Sequence, residues 1–166
     1  MATEGFLLPI LEEVQTILRS TLNTELDLID SNLTDISDDW ILIENYELFP
    51  EFTPMIQIWP VPEEHIVSSG DFGGDLIAPK FRFTTIVTVE HKDDLTRLTA
   101  LDKYITAIGH SVVKGTSGEP WTLNGECEVL TWDSIPYGNV FTNREESALM
   151  QSGGIIWTAE KEFNIV

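Results

Sequence analysis

The sequence predicts an α+β domain, a small and mostly antiparallel sheet with two long amphipathic helices packed together on one face. Three observations lead there. Residues 6–23 and 95–113 repeat apolar side chains at steps of three and four, the stripe of a helix with one buried side. Residues 55–59, 81–90, 126–133 and 155–163 alternate at period two and are rich in β-branched and aromatic residues, as a half-buried pleated surface prefers. The resulting order, α, β, β, α, β, β, is that of a layer of helices on a largely antiparallel sheet.

In the first segment Leu7, Leu8, Ile10, Leu11, Val14, Ile17, Leu18 and Leu22 form the apolar stripe, and Glu12, Glu13, Gln15, Thr16 and Arg19 lie opposite. Pro9 fits the first turn, where its missing N–H costs nothing. The helix is expected to end near Asn23. Its polar face is acidic, which favours core packing over membrane anchoring. From residue 24 to 39, Asp27, Asp30, Asp35, Asp38 and Asp39 interrupt the apolar positions, and the stretch reads as a solvated linker with a short helical turn. It lacks the central Gly and closing Glu of an EF-hand calcium loop. Trp40 to Glu44 is a short strand. Met55 to Trp59, bounded by Pro54 and Pro60, is a strand expected at a sheet edge. Residues 62–79 read as a loop with a glycine-rich tip, without the Gly-Lys-Ser/Thr or nearby base of a phosphate cradle.

The middle of the chain is a strand running into a helix. Phe81, Phe83, Thr85, Val87 and Val89 share one strand face. Asp93 or Asp94 is placed to cap the next helix, whose stripe is Leu95, Leu98, Leu101, Ile105, Ile108 and Val112. Lys114 and Gly115 supply a basic last turn and a residue free to become left-handed. A turn over 116–120 precedes a strand from Glu126 to Asp133, then a turn over 135–138 and a polar stretch over 139–152. Gly153 and Gly154 precede the last strand.

The 166 residues are expected to form a single domain, 1–166. Its charge is lopsided: 28 Asp and Glu stand against nine Lys and Arg, a net charge of −19. Residues 1–80 hold 16 of the acids and two of the bases. Such a surface repels phosphate backbones and anionic lipid, because nucleic-acid binding needs clustered cations. One cysteine, Cys127, allows no internal disulfide and suits a reducing compartment. No apolar run has the length of a membrane span and the first residues are unlike a signal peptide, so a soluble protein made in a cytoplasm is expected.

Side chains capable of catalysis are scattered. His65, His91 and His110 show no metal-ligand spacing. His110 is expected as a half-buried neighbour of the second helix stripe. Cys127 lies between Glu126 and Glu128, whose charge raises a thiol pKa, the wrong direction for a nucleophile. No nucleophile elbow or nucleotide fingerprint occurs. Carboxylate pairs abound, but among 28 acids many pair by chance. Neither catalytic residues, a metal nor a cofactor is expected, and the chain reads as a non-enzyme.

Along nearly its whole length the pattern resembles the tail terminator (tail completion) proteins from the neck of tailed bacteriophages. The matching pieces are the long first helix, the proline-bounded strand containing Met55 to Trp59, and the strand-to-helix block 81–113 entered through a glycine-rich loop. Two strands flanking a long polar loop follow. Residues 24–51 and 61–79 are longer than a minimal member needs. The family offers no motif from which functional residues transfer. The resemblance implies a virion protein of the neck, a homohexameric ring that caps the tail tube and joins it to the head-side stopper or connector protein. Genomic DNA would pass through without specific binding. On that reading Asp71 and Asp75 are candidate channel-facing acids. The loops over 67–77 and 142–154, with Phe72, Gly73, Gly74, Arg144, Glu145 and Glu146, are candidates to order on the tail tube, a sheath protein or the head-side partner. Two other classes fit an acidic chain: a DNA-mimic inhibitor and a small soluble hydrolase.

Overall fold

The computed structural model describes residues 7–45, 52–66, 76–77, 80–116, 121–142 and 149–164. In chain order the elements are α1 (Leu8–Asp30), β1 (Ile41–Ile43), β2 (Met55–Ile66), β3 (Leu76–Ile77), β4 (Lys80–Glu90) and α2 (Asp94–Gly115). They continue with β5 (Val129–Ser134), β6 (Phe141–Thr142), β7 (Leu149–Glu160) and β8 (Phe163–Asn164). The main sheet runs β1-β2-β4-β7-β5, with β6 beside β7, and β3 pairs with β8 separately. Among the described residues only β1 and β2 pair in parallel, and the other pairings are antiparallel. The two helices pack on each other and on the sheet, so the predicted fold class stands.

The core is the layer between helices and sheet. Phe83, Thr85, Val87 and Val89 of β4 are buried, as the period-two pattern requires. Phe83, Val87 and Val89 join Val14, Leu18 and Leu22 from α1 and Leu101, Ile105, Ile108 and Val112 from α2 in one apolar cluster. Asp93 caps α2 by accepting the Thr96 N–H at 2.7 Å.

Several boundaries differ from expectation. Helix α1 runs on to Asp30 instead of ending near Asn23. Leu22 and Leu26 extend its buried stripe, and Glu25 and Asp30, which look like linker acids in sequence, are each held by a lysine of α2. Asn23 also pins the following chain, donating to Ile36 O at 3.0 Å and accepting the Ile36 N–H at 2.9 Å. Strand β2 is not at the edge, because β1 adds outside it. Its prolines are accommodated by a register shift against β4 between Pro60 and His65, so the strand reaches Ile66 through a stretch expected to be loop.

Strand β7 starts at Leu149 and carries Gly153 and Gly154 in its interior, where they were expected to precede the strand. Close approach explains their presence. A Cβ at residue 154 would collide with Thr85 O of β4 and stand 2.9 Å from Ile86 Cα, while one at 153 would stand 3.0 Å from Ile105 Cδ1 of α2. Conversely, β5 starts at Val129, leaving Cys127 in the turn before it. Gly115 ends α2 without a left-handed conformation, since Gly125 alone among the described glycines has that φ. What Gly115 supplies is room, because a Cβ there would run into the Ile17 side chain. Leu95 and Leu98 leave the core stripe and are 73% and 45% exposed. His110 is likewise exposed, with Nδ1 3.6 Å from Glu25 Oε2.

Candidate functional site: an acidic surface and an apolar edge

The candidate channel acids Asp71 and Asp75 lie outside the described residues, as do Phe72, Gly73, Gly74, Arg144, Glu145 and Glu146. Of the loop over 67–77, only Leu76 and Ile77 are described, as β3. Of the stretch over 142–154, Thr142 ends β6, and residues 149–154 belong to β7.

The described surface has two features that bear on function. The first is how its cations are used. Lys80 meets Glu160, Arg82 meets Asp133, Arg97 meets Asp94, Lys103 meets Asp30, Lys114 meets Glu25 and Lys161 meets Glu126, all within 2.5–3.6 Å. Arg19 donates to the backbone oxygens of Asp38 and Ile41, each at 3.1 Å. Six of the eight described Lys and Arg, all but Arg19 and Lys92, therefore pair with neighbouring acids within the chain, and the chain as a whole keeps a large acidic surplus.

The second feature is an apolar edge. The chain from Val129 to Thr142 lies alongside β7 as β5, then as an isolated bridge between Tyr137 and Gly153, then as β6. Along it Trp132, Ile135, Tyr137 and Val140 are 39–46% exposed. Trp132 sits edge-on against buried Trp157, ring centroids 5.8 Å apart, and lies over Gly109 of α2, where a Cβ would stand 3.1 Å from its ring. The Tyr137 hydroxyl donates to Asp102 Oδ1 at 2.9 Å. Burial, and then this contact with Asp102, hold the phenol above its ordinary pKa. Leu98, Thr99, Asp102 and Tyr137 line a groove of about 450 Å³ between α2 and the edge. Nothing in the periodicity marks these residues as exposed. The legible signal was the scarcity of charge: between residues 129 and 142 Asp133 is the only Asp or Glu, and no Lys or Arg occurs.

The remaining groups offer little chemistry. Cys127 is buried, and its thiol is pushed up to about 12, chiefly by burial and then by the Glu128 charge. The negative neighbours anticipated from sequence contribute, but desolvation is the larger cause. Tyr104 is raised to about 12 by burial and by Asp35, and donates to Thr34 O at 2.6 Å. His91 Nδ1 accepts the Asp93 N–H at 3.0 Å, a structural contact at the start of α2. Among the described residues no group of three or more His, Cys, Asp and Glu is placed to hold a metal ion. None of the described helices is long and apolar enough to cross a membrane.

Comparison with protein-family models and with curated proteins finds no match to this chain.

Proposed function

We propose that this chain is a structural virion protein of a tailed-phage neck, a tail terminator and no enzyme. It assembles, as a homohexamer, into a ring that caps the tail tube. Its partners are other copies of itself, the tube, a sheath protein where the tail has one, and the head-side stopper or connector. It is made in the host cytoplasm and resides in the virion. The observation that carries this reading is the order of elements. A long first helix, a strand near Pro54, a strand leading directly into a second long helix, and a final run of strands form the pattern by which the chain resembles that family. The charge supports it. Cations consumed by local acids leave a surface that lets a polyanion pass without holding it.

The test is assembly and partner binding. Light scattering and negative-stain images, on the protein alone and mixed with purified tail tubes of the same virus, are expected to show rings or capped tube ends. A monomer that instead inhibits a nucleic-acid enzyme at equimolar ratio would establish the DNA-mimic reading, and substrate turnover would establish a hydrolase. Within the proposed ring, Asp71 and Asp75 face the channel. Asp71→Lys/Asp75→Lys is expected to make the assembly adhere to duplex DNA while the fold is kept. A reversed variant that packages and ejects a genome normally overturns the acidic-channel part of the proposal.

A further inference from the structure

We infer that Asn124 is a latent site of covalent modification, part of an Asn-Gly pair that the folded chain keeps as the amide and that deamidates when its turn opens. Asn124-Gly125 is the only Asn-Gly pair in the 166 residues. The chemistry needs no enzyme. The Gly125 backbone nitrogen attacks Asn124 Cγ, its proton passes to Nδ2, and the Cγ–Nδ2 bond breaks to release ammonia and close a five-membered imide. Water then adds to either carbonyl of the imide and opens it, giving aspartate or isoaspartate. Glycine in second place eases the attack, because no Cβ shields its nitrogen. The backbone accounts for that glycine. Gly125 takes φ 95°, where any side chain is strained, although a Cβ there would meet nothing within 4 Å.

Three features hold the folded site back from this reaction. Asn124 has φ 57° and ψ 30°, which turns the Gly125 nitrogen away from the Asn124 side chain, so the imide ring cannot close until the backbone rotates. The Gly125 N–H is already given to Thr122 O at 3.0 Å. The Asn124 amide Nδ2 donates to Glu13 Oε1 of α1 at 2.7 Å and to Gly115 O, at the end of α2, at 3.2 Å. One amide thus ties the turn to both helices. After deamidation no N–H remains there to donate. A carboxylate would face the Glu13 carboxylate and the Gly115 carbonyl, acceptors both, and two like charges so close disfavour each other. Ammonia is lost to solvent, so the change does not reverse. Each opening that leads to reaction adds one negative charge to an already acidic chain and removes the pin between the helices.

The experiment incubates the full chain in mildly alkaline buffer, folded or in urea, and follows residue 124 by peptide mapping that separates the amide, aspartate and isoaspartate forms. In urea Asn124 is expected to convert before any other Asn. In the folded chain it is expected to convert about tenfold more slowly or less, since reaction waits for the turn to open. Glu13→Ala, which removes one holder of the amide, is expected to speed the folded reaction several-fold and to leave the rate in urea unchanged. Glu13→Gln, whose side-chain oxygen still accepts, is expected to stay near the parent. Asn124→Asp, the product itself, is expected to melt below the parent, and adding Glu13→Gln to it is expected to restore part of the loss. Equal rates folded and in urea, faster conversion of another Asn in urea, or an unmoved folded rate in Glu13→Ala would each overturn the inference. Should Glu13→Ala fail to fold, the ratio of the parent's two rates still decides.

Discussion

Lys114 Nζ donates to both carboxylate oxygens of Glu25, at 2.9 and 2.8 Å, tying the end of α2 to the second half of α1. Glu25 is buried on α1, whereas the Lys114 side chain is 57% exposed. The pair is therefore asymmetric. Removing the lysine strands a buried carboxylate, while removing the carboxylate leaves an ammonium free to reach water. Lys114→Met is expected to destabilise by about 1–2 kcal/mol, between the values for surface and buried pairs. Glu25→Gln, which keeps shape and hydrogen bonding, is expected to cost less. Chemical denaturation of the two variants checks the order, and a larger loss for Glu25→Gln contradicts the picture.

A second clamp between the same helices gives a pH dependence. Lys103 Nζ meets Asp30 Oδ2 at 2.6 Å, and with the Asn32 N–H it holds the Asp30 carboxyl down at about 2, below its ordinary 3.8. A group depressed in the folded state contributes stability that is present above its unfolded pKa and lost as pH falls through the folded one. The Asp30 contribution is thus complete above about pH 4 and disappears toward pH 2. Acid unfolding of Asp30→Asn is expected to be less steep in that window than that of the parent. Equal slopes would remove Asp30 from the acid response.

Packing between α2 and the sheet supplies the third prediction. Leu101 is 0% and Ile105 2% exposed, and both side chains approach the Gly153 position of β7. Leu101→Ala and Ile105→Ala are each expected to cost roughly 2–5 kcal/mol, through lost transfer energy and the cavity left behind. Gly154→Ala adds a methyl where Thr85 O already stands, and is expected to destabilise by overpacking, about 1–3 kcal/mol or more. Thermal melts that match the parent for all three would contradict this packing.

Cys127 is expected to be inert in the native protein. Only 3% of it is exposed, and its thiol is pushed up to about 12, so little thiolate forms near neutral pH. Alkylation at pH 8 is expected to be slow in the folded chain and rapid in denaturant. A native rate equal to the denatured one would show that the turn before β5 opens freely.

These features were not equally legible in the sequence. Burial that repeats with the element's own period was plain: Phe83, Thr85 and Val87 on a strand, Leu101, Ile105 and Ile108 on a helix. The second half of α1 was obscured because Glu25 and Asp30 look like linker acids until paired with lysines 89 and 73 residues away. Gly153 and Gly154 mimicked a turn for a similar reason, since what requires them lies on β4 and α2. Proline at the ends of Met55 to Trp59 signalled an edge strand, yet the short β1 satisfies the other side and a register shift absorbs Pro60. Exposure at Leu98 and Trp132 had no periodic signature at all, because both occupy positions that read as apolar stripe or strand.

The charge surplus makes a prediction of its own about assembly. Copies brought side by side in a ring place many uncompensated acids near one another. By Coulomb's law a pair of like charges about 10 Å apart costs on the order of 0.4 kcal/mol in water. A contact between copies would repeat that term many times, while attraction from buried apolar area is not screened by salt. At roughly 0.15 M ionic strength the Debye length is about 8 Å, so much of the repulsion is removed. Self-association is therefore expected to tighten as salt rises from 0.01 to about 0.15 M, with the midpoint concentration falling several-fold. Binding to nucleic acid through phosphate contacts has the opposite slope, weakening as salt displaces it. Sedimentation across a salt series, with and without duplex DNA, separates the two. Tight DNA binding at low salt, or association that weakens as salt is added, would show that the acids serve as contacts and do not merely hold the copies apart.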